Sequence, residues 1–331
     1  MNKMKKIFIT VMGMMLAIAG MAQDATTTFK PNGKPIVTVF TDFRVQSTDG
    51  KTNTAFELSR AYLGYAYNFS PYFSAKAVMD VTDKNNGYQG SAYTAYIKNA
   101  FGEYSRNGLT IDFGLIGTNT FNLQESLWSK RYLLKSFQDL NGYASSADLG
   151  LGIRYQIIPE LSIDAQLVNG EGYKNIQADS AVKVSAGLTY QPIKKLYVRV
   201  YGDYLKKKEA QTTLNAMIAY KDDKLTLAGE YNMQTGHGKV KDHNLSGLSF
   251  WGTYSPSKTL AVFARYDNLT SKKLNGASEG WNSSDGNLYA AGLEIFPVKG
   301  MAIAPNIQIS DPSKTGSKTS TSYLVSFKYS L

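Results

Sequence analysis

The 331 residues contain no cysteine, only two histidines and only nine prolines. Without thiols there is no disulfide to staple the fold and no thiolate to hold zinc or an iron–sulfur cluster. The two histidines, His237 and His243, share one stretch, HGKVKDH, that has neither strand nor helix ligand spacing and lies on no strand face beside a serine. It reads as a solvated loop, so neither a metal, nor a cofactor, nor a Ser–His catalytic pair is expected. Gly150-Leu151-Gly152 lacks the following helix that a phosphate cradle needs. Beyond the first two dozen residues no apolar run approaches the ~20 residues of a spanning helix, which excludes a helical membrane protein. The net charge is +10, but the Lys and Arg residues are scattered rather than gathered on one element, which argues against nucleic acid as a partner.

The first residues carry a targeting pattern. Lys3, Lys5 and Lys6 precede an apolar stretch from Ile7 to about Ala19, and Gly20-Met21-Ala22 supplies small residues flanking one larger one. A signal peptide over 1–22, cleaved after Ala22, is expected, followed by an N-terminal periplasmic segment over 23–35. From Ile36 to Leu331 the chain then alternates apolar and polar residues in sixteen segments of about ten residues. Leu149, Leu151, Ile153 and Tyr155 oppose Asp148, Arg154 and Gln156; Leu196, Val198 and Val200 oppose Arg199 and Asp203. The segment 93–103 is apolar on both parities, and its faces cannot be assigned from the pattern.

A two-sheet sandwich also alternates, and the connections decide between the two. Short links such as Ser70-Pro71, 105–108, 158–160, 192–195, 221–224, 256–258 and 297–300 take turns with 47–54, 82–92, 117–147, 169–180, 205–211, 235–246, 268–286 and 311–319. The second set is mostly longer and rich in Gly, Asn, Ser and Lys. Such asymmetry, with Tyr at the ends of many apolar sets, predicts an all-β fold: a transmembrane, antiparallel, up-and-down barrel of about sixteen strands over 36–331. A barrel of that width is too wide for side chains to fill and is expected to hold water. Its polar face would carry Arg44, Arg60, Lys76, Arg154, Lys183, Arg199 and Arg265 beside Asp112 and Asp203, with Asp42, Asp80, Asp164, Glu230, Asp267, Glu294 and Lys328 completing the set. These strand charges nearly balance, so they do not by themselves point to a strongly anion-selective pore.

The exception to the period of two is NLQESLWSKRYLLKSFQDLNGY, 122–143, in the third long connection. Leu123, Leu127, Leu134 and Phe137 recur at roughly helical spacing, and with Trp128 and Tyr132 they are too apolar to stand in water. The segment is expected to fold inward against the wall. Glu125, Lys130, Arg131, Lys135 and Asp139 would then face the remaining opening as a constriction, with plain solvation or ion pairing of Lys130 and Arg131 to Glu125 or Asp139 equally open.

Phe56-Glu57-Leu58-Ser59-Arg60-Ala61-Tyr62-Leu63-Gly64, then Phe113-Gly114-Leu115-Ile116-Gly117-Thr118, Glu125-Ser126 and Ser146-Ala147-Asp148-Leu149-Gly150-Leu151, resemble the phosphate-selective porin O and P family, and more closely the porins of Bacteroidetes, which are Gram-negative. The resemblance implies a sixteen-stranded, homotrimeric outer-membrane channel whose third loop enters the pore, with outer-membrane lipid around it. It implies passage of small hydrophilic solutes and ions, with anions such as phosphate preferred. Two readings of another class stay open: a non-transport barrel acting as adhesin or surface receptor, and an uptake channel for one ligand. Lumen aromatics such as Tyr197, Tyr201 and Phe263 would favour a sugar in the latter case.

Overall fold

The computed structural model describes residues 29–83, 92–177 and 179–331; the expected signal peptide lies outside them. Alternation turns into sixteen strands: β1 (Asn32–Thr48), β2 (Lys51–Asn68), β3 (Phe73–Asp83), β4 (Tyr93–Arg106), β5 (Leu109–Gly117), β6 (Ala147–Ile158), β7 (Leu161–Val168), β8 (Lys183–Ile193), β9 (Leu196–Lys206), β10 (Ala210–Lys221), β11 (Leu225–Thr235), β12 (Leu245–Tyr254), β13 (Leu260–Ser271), β14 (Gly286–Ile295), β15 (Met301–Pro312) and β16 (Ser320–Ser330). Each pairs antiparallel with its neighbours in sequence, and β1 pairs with β16, so the sheet closes. The first strand begins at Asn32 rather than Ile36, because Asn32 to Pro35 continue the ladder against β2 opposite Asn68 to Tyr65. The ladder thus takes in 32–35 of the segment expected to precede the barrel, and 23–28 of that segment lie outside the described residues.

The period of two sorts side chains onto two faces. Val184, Ile218 and Phe250 are about half exposed on the outside, at 51%, 55% and 50%, while their neighbours Lys183, Met217 and Trp251 are buried within. An outer belt of Val, Leu, Ile, Phe and Tyr is the surface that lipid covers, so the fold is that of a transmembrane barrel.

The short and long connections alternate less strictly than expected. Between β1 and β2 the 47–54 stretch is a two-residue hairpin at Asp49-Gly50, with φ of 52° and 76°. Two successive positive φ values make the mirror-image turn that matches strand twist, and Asp-Gly favours it. The 205–211 connection contracts to Lys207–Glu209, since Leu205 and Gln211 face inward as strand residues.

The third connection, 118–146 (loop 3), is where the interior is packed. It forms two short helices, α1 (Asn122–Trp128) and α2 (Phe137–Leu140). The helical spacing does not run through, because Ser129 takes a left-handed conformation (φ 56°) and closes α1 on the Glu125 carbonyl. Leu127, Trp128 and Leu134 pack on the inner face of the wall against Met217, Ala219, Trp251, Phe263 and Ala290. Trp128 sits edge-on to Trp251 and Phe263, with ring centroids 5.7 and 6.0 Å away. Tyr132 and the half-buried Leu133 extend the contact along the adjoining wall to Phe40 of β1 and Ala302 and Ala304 of β15. The Phe137 ring abuts Gly247 with its tip, where a Cβ would collide with it, so the wall has no side chain at that point.

Buried polar groups complete the attachment. The Lys130 ammonium meets Glu294 at 2.9 Å and the Tyr132 hydroxyl donates to the same carboxylate at 2.8 Å, all three nearly solvent-free. Gln124 donates to Asn215 (2.8 Å) and Gln138 to Asn232 (2.5 Å). The chain before α1 is held by Thr120 on Tyr201 and by Asn119 on Asp164 and Ser185.

Two substitutions test these assignments. Gly50→Val places a β-branched residue at φ 76° with no neighbour within 4 Å, so its effect is conformational; stability should fall by about 1–2 kcal/mol in denaturant unfolding of the refolded, detergent-bound protein. Glu294→Ala strands the Lys130 charge and should cost about 3–5 kcal/mol. Lys130→Met, Tyr132→Phe and Glu294→Leu combined should recover most of that loss, and failure to do so would show that the pair is not what holds the loop.

Candidate functional site: the charged face of loop 3

With loop 3 fastened to β10–β14 and to β1 and β15, its exposed charges face β2, β3 and β4. Local backbone irregularities aim the wall residues. At Phe40/Thr41 the β1–β2 register slips by one, leaving Ser59 as an extra residue, so Ser59 and Arg60 both point inward. A second slip, at Val78/Met79, leaves Lys98 as the extra residue of β4 and turns it into the lumen. Such bulges re-aim side chains. The reversal of parity at Lys98 is also why 93–103 showed no clean face.

These residues converge on one oxygen. The Tyr62 hydroxyl receives Arg60 Nη1 at 3.0 Å, Lys98 Nζ at 3.0 Å and Arg131 Nε of loop 3 at 3.2 Å. A phenol oxygen offers two lone pairs, so three cationic donors over-subscribe it and leave donor capacity unspent. Lys98 also lies over the Tyr62 ring, 4.5 Å from its centroid. Lys174 caps Tyr96 at 4.9 Å from the centroid, and Tyr96 meets Tyr173 edge-on.

Carboxylates answer only part of this charge. Asp80, fully buried, pairs with Arg60 at 3.3 Å and accepts from the Tyr173 hydroxyl at 2.6 Å. Arg131 bridges Glu125 at 2.8 Å and Asp139. Burial opposes the Arg131 charge, but the Tyr62 oxygen and the Asp139 and Glu125 carboxylates outweigh it and raise its pKa, so it stays a cation. Among the described residues Lys76, Lys98, Lys135 and Lys174 have no carboxylate within ion-pair distance. Burial first, then the neighbouring cations, pushes the Lys135 and Lys174 ammonium groups below the ordinary lysine range.

The expected site residues therefore separate into two groups. Glu125, Arg131, Lys135 and Asp139 lie together with Arg60 on the side facing β2–β4, and Lys76 stands farther along β3, toward the β2–β3 turn. Lys130 does not join them: its stem runs behind the loop to Glu294, which holds it out of the opening. Lys183, Arg199 and Arg265 are also covered by the loop or locked to the wall. Lys183 pairs with Asp203 at 2.7 Å, Arg199 with Asp164 at 2.6 Å, and Arg265 with Asp267 at 2.6 Å while donating to the Lys135 carbonyl at 2.6 Å. Arg44 pairs with Glu57, and Arg154 with Glu103 and Asp112, nearer the two mouths and more exposed. Tyr201 and Phe263 are buried, one beside Thr120 and the other beneath Trp128, whereas Tyr197, half-buried against the same apolar cluster, also lines a cavity with Arg154 and Arg199.

Tyr62, Lys98, Tyr173 and Lys174 were absent from the expected set. The signal that could have found Tyr62 was its place on the polar parity beside Arg60. Lys98 was concealed by the bulge, and Lys174 lies in a loop, where alternation says nothing. His237 and His243 are not simply solvated: His243 stacks on Trp281 at 4.1 Å between centroids, and His237 Nδ1 is 2.5 Å from the Gln234 side-chain oxygen.

No protein-family model and no curated protein matches the sequence. Solved structures do resemble the fold. OmpF of Salmonella typhi, solved with daunomycin, aligns with a TM-score of 0.69 at 13% identity over 90% of this chain and 97% of that one. An anion-selective porin from Comamonas acidovorans gives 0.67 at 11% identity over 91% and 100%. The trimer form of OmpT, an outer membrane protein of Vibrio cholerae, gives 0.65 at 11% identity over 92% and 100%. At such identities the likeness is one of fold: the chain has the closed sixteen-stranded barrel of outer-membrane porins.

Proposed function

We propose that the protein is a passive diffusion channel of a Gram-negative outer membrane that admits small hydrophilic solutes and prefers anions. The observation that carries this reading is the convergence of Arg60, Lys98 and Arg131 on the single Tyr62 oxygen, with Lys135 and Lys174 nearby and without an ion pair among the described residues. Donors left over at a narrowing of low dielectric attract anions and repel cations more strongly than the same charges in open water. The strand charges nearly cancel, so the preference arises locally, where loop 3 adds Arg131 and Lys135 to the wall. Glu125 and Asp139 temper it by engaging Arg131. The outer apolar belt supports lipid as the surrounding partner, and the trimeric neighbour supports a homotrimer.

Reversal potentials across planar bilayers under a KCl gradient test the reading. The wild-type channel should favour chloride, and Lys98→Glu, Lys135→Glu and Lys174→Glu together should turn the preference toward potassium. An unaltered preference would reject the site, and the absence of any open-channel conductance would reject the channel. Preference for chloride should also weaken as pH rises, beginning below the ordinary lysine value of 10.5, because a depressed pKa means the Lys135 and Lys174 charges are lost early.

A further inference from the structure

Adjoining the Tyr62 cluster, on the side of loop 3 that faces β1, β2, β15 and β16, lies a cavity of about 240 Å3 that shares Arg60 and Arg131 with it. Its walls are of two kinds. Arg44, Arg60, Arg131 and Lys135 line one part, and Phe40, Leu140 and Leu324 line another. The one carboxylate in the lining, Asp42, already accepts the Ser59 hydroxyl at 2.6 Å and lies 3.5 Å from Arg44, so the cations outnumber the anions. Two of those cations have capacity to spare: Arg44 Nε is buried without an acceptor, and the Lys135 ammonium makes no ion pair or hydrogen bond among the described residues. Leu140 is 38% exposed and Arg44 a third exposed, so the cavity is accessible to solvent at both its apolar and its cationic part.

Resting on the anion preference argued above, we propose that this cavity is a binding station for small organic anions that carry an apolar body, such as aryl or branched alkyl carboxylates. The carboxylate sits between Lys135 and Arg44, and the hydrocarbon covers Leu140, Leu324 and the Phe40 ring. Inorganic oxyanions are poorer ligands here. Every oxygen of a phosphate needs a donor or water, and the leucine part of the wall would strip its hydration without replacing it. Acetate satisfies the cations but leaves the apolar wall uncovered. A neutral aromatic does the reverse. Only a ligand with both parts uses the whole cavity, and contact worth a few methylenes discriminates by about tenfold or more.

Single-channel recordings in KCl with benzoate, acetate, inorganic phosphate or benzyl alcohol added on the loop side test the proposal on the intact protein. Benzoate should reduce the chloride current at a concentration about tenfold or more below that of any of the other three. Leu140→Ala and Lys135→Gln should each shift the benzoate midpoint upward several-fold, the first by exposing less hydrocarbon and the second by removing a cation. Equal potency of benzoate and acetate would overturn the proposal, since the apolar wall would then contribute nothing. Equal potency of benzoate and benzyl alcohol would overturn it as well, because charge would be irrelevant. The wild-type comparison needs no variant to fold. Failure is separable from that of the anion preference: a channel that favours chloride yet treats benzoate like acetate loses only the binding station, whereas one that favours potassium loses both.

Discussion

The pairing of β1 with β16 is the constraint on which the other features depend. In hydrocarbon each unpaired backbone N–H or C=O costs several kcal/mol, so a spanning sheet has to have no edge. The ladder from Thr38–Ser330 to Thr48–Ser320 removes the last two edges and sets the circumference at sixteen strands. That circumference is more than inward side chains can fill. An interior of such width either stays wet or is occupied by another part of the chain, and loop 3 is the part that occupies it.

The loop is held by two different kinds of contact on its two sides, and the difference separates structure from chemistry. Behind it, Trp128 and Leu134 bury apolar surface against the wall, and charges are matched one for one, as with Lys130 and Glu294. Burying those ions unpaired would be costly, so each has its partner within hydrogen-bond distance. In front of it the matching fails. Arg60, Lys98 and Arg131 share an oxygen that can satisfy two of them, and among the described residues Lys135 and Lys174 have no carboxylate within ion-pair distance. A like-charged group of this kind persists only where water or a passing anion can complete it. The bulges at Ser59 and Lys98 belong to the same design, since a regular ladder would have sent one of each adjacent pair outward into lipid.

Much of the architecture was legible because the period of two is a direct consequence of a surface that is apolar outside and polar within. Sixteen strands, their order and the inward parity of Arg60, Asp112, Arg199 and Arg265 follow from that alternation. The pattern misled or fell silent at several places, three of them for a plain local reason. The Asp49-Gly50 turn hid among polar residues that continue the ladder. The bulge at Lys98 erased the parity of its segment. The helical spacing of 122–143 overran Ser129, where a left-handed residue divides the loop into two short helices.

What the sequence determined by itself, then, is the closed barrel and the need to bury its one apolar loop, because both are written in the spacing of neighbouring residues. Which charges stand free was decided only in three dimensions. Lys130 and Arg131 are adjacent in the chain and alike in charge, yet one is matched to Glu294 behind the loop and the other reaches Tyr62 in front of it. Charge pairing depends on distances across the lumen, between strands far apart in the chain, and no local period encodes them.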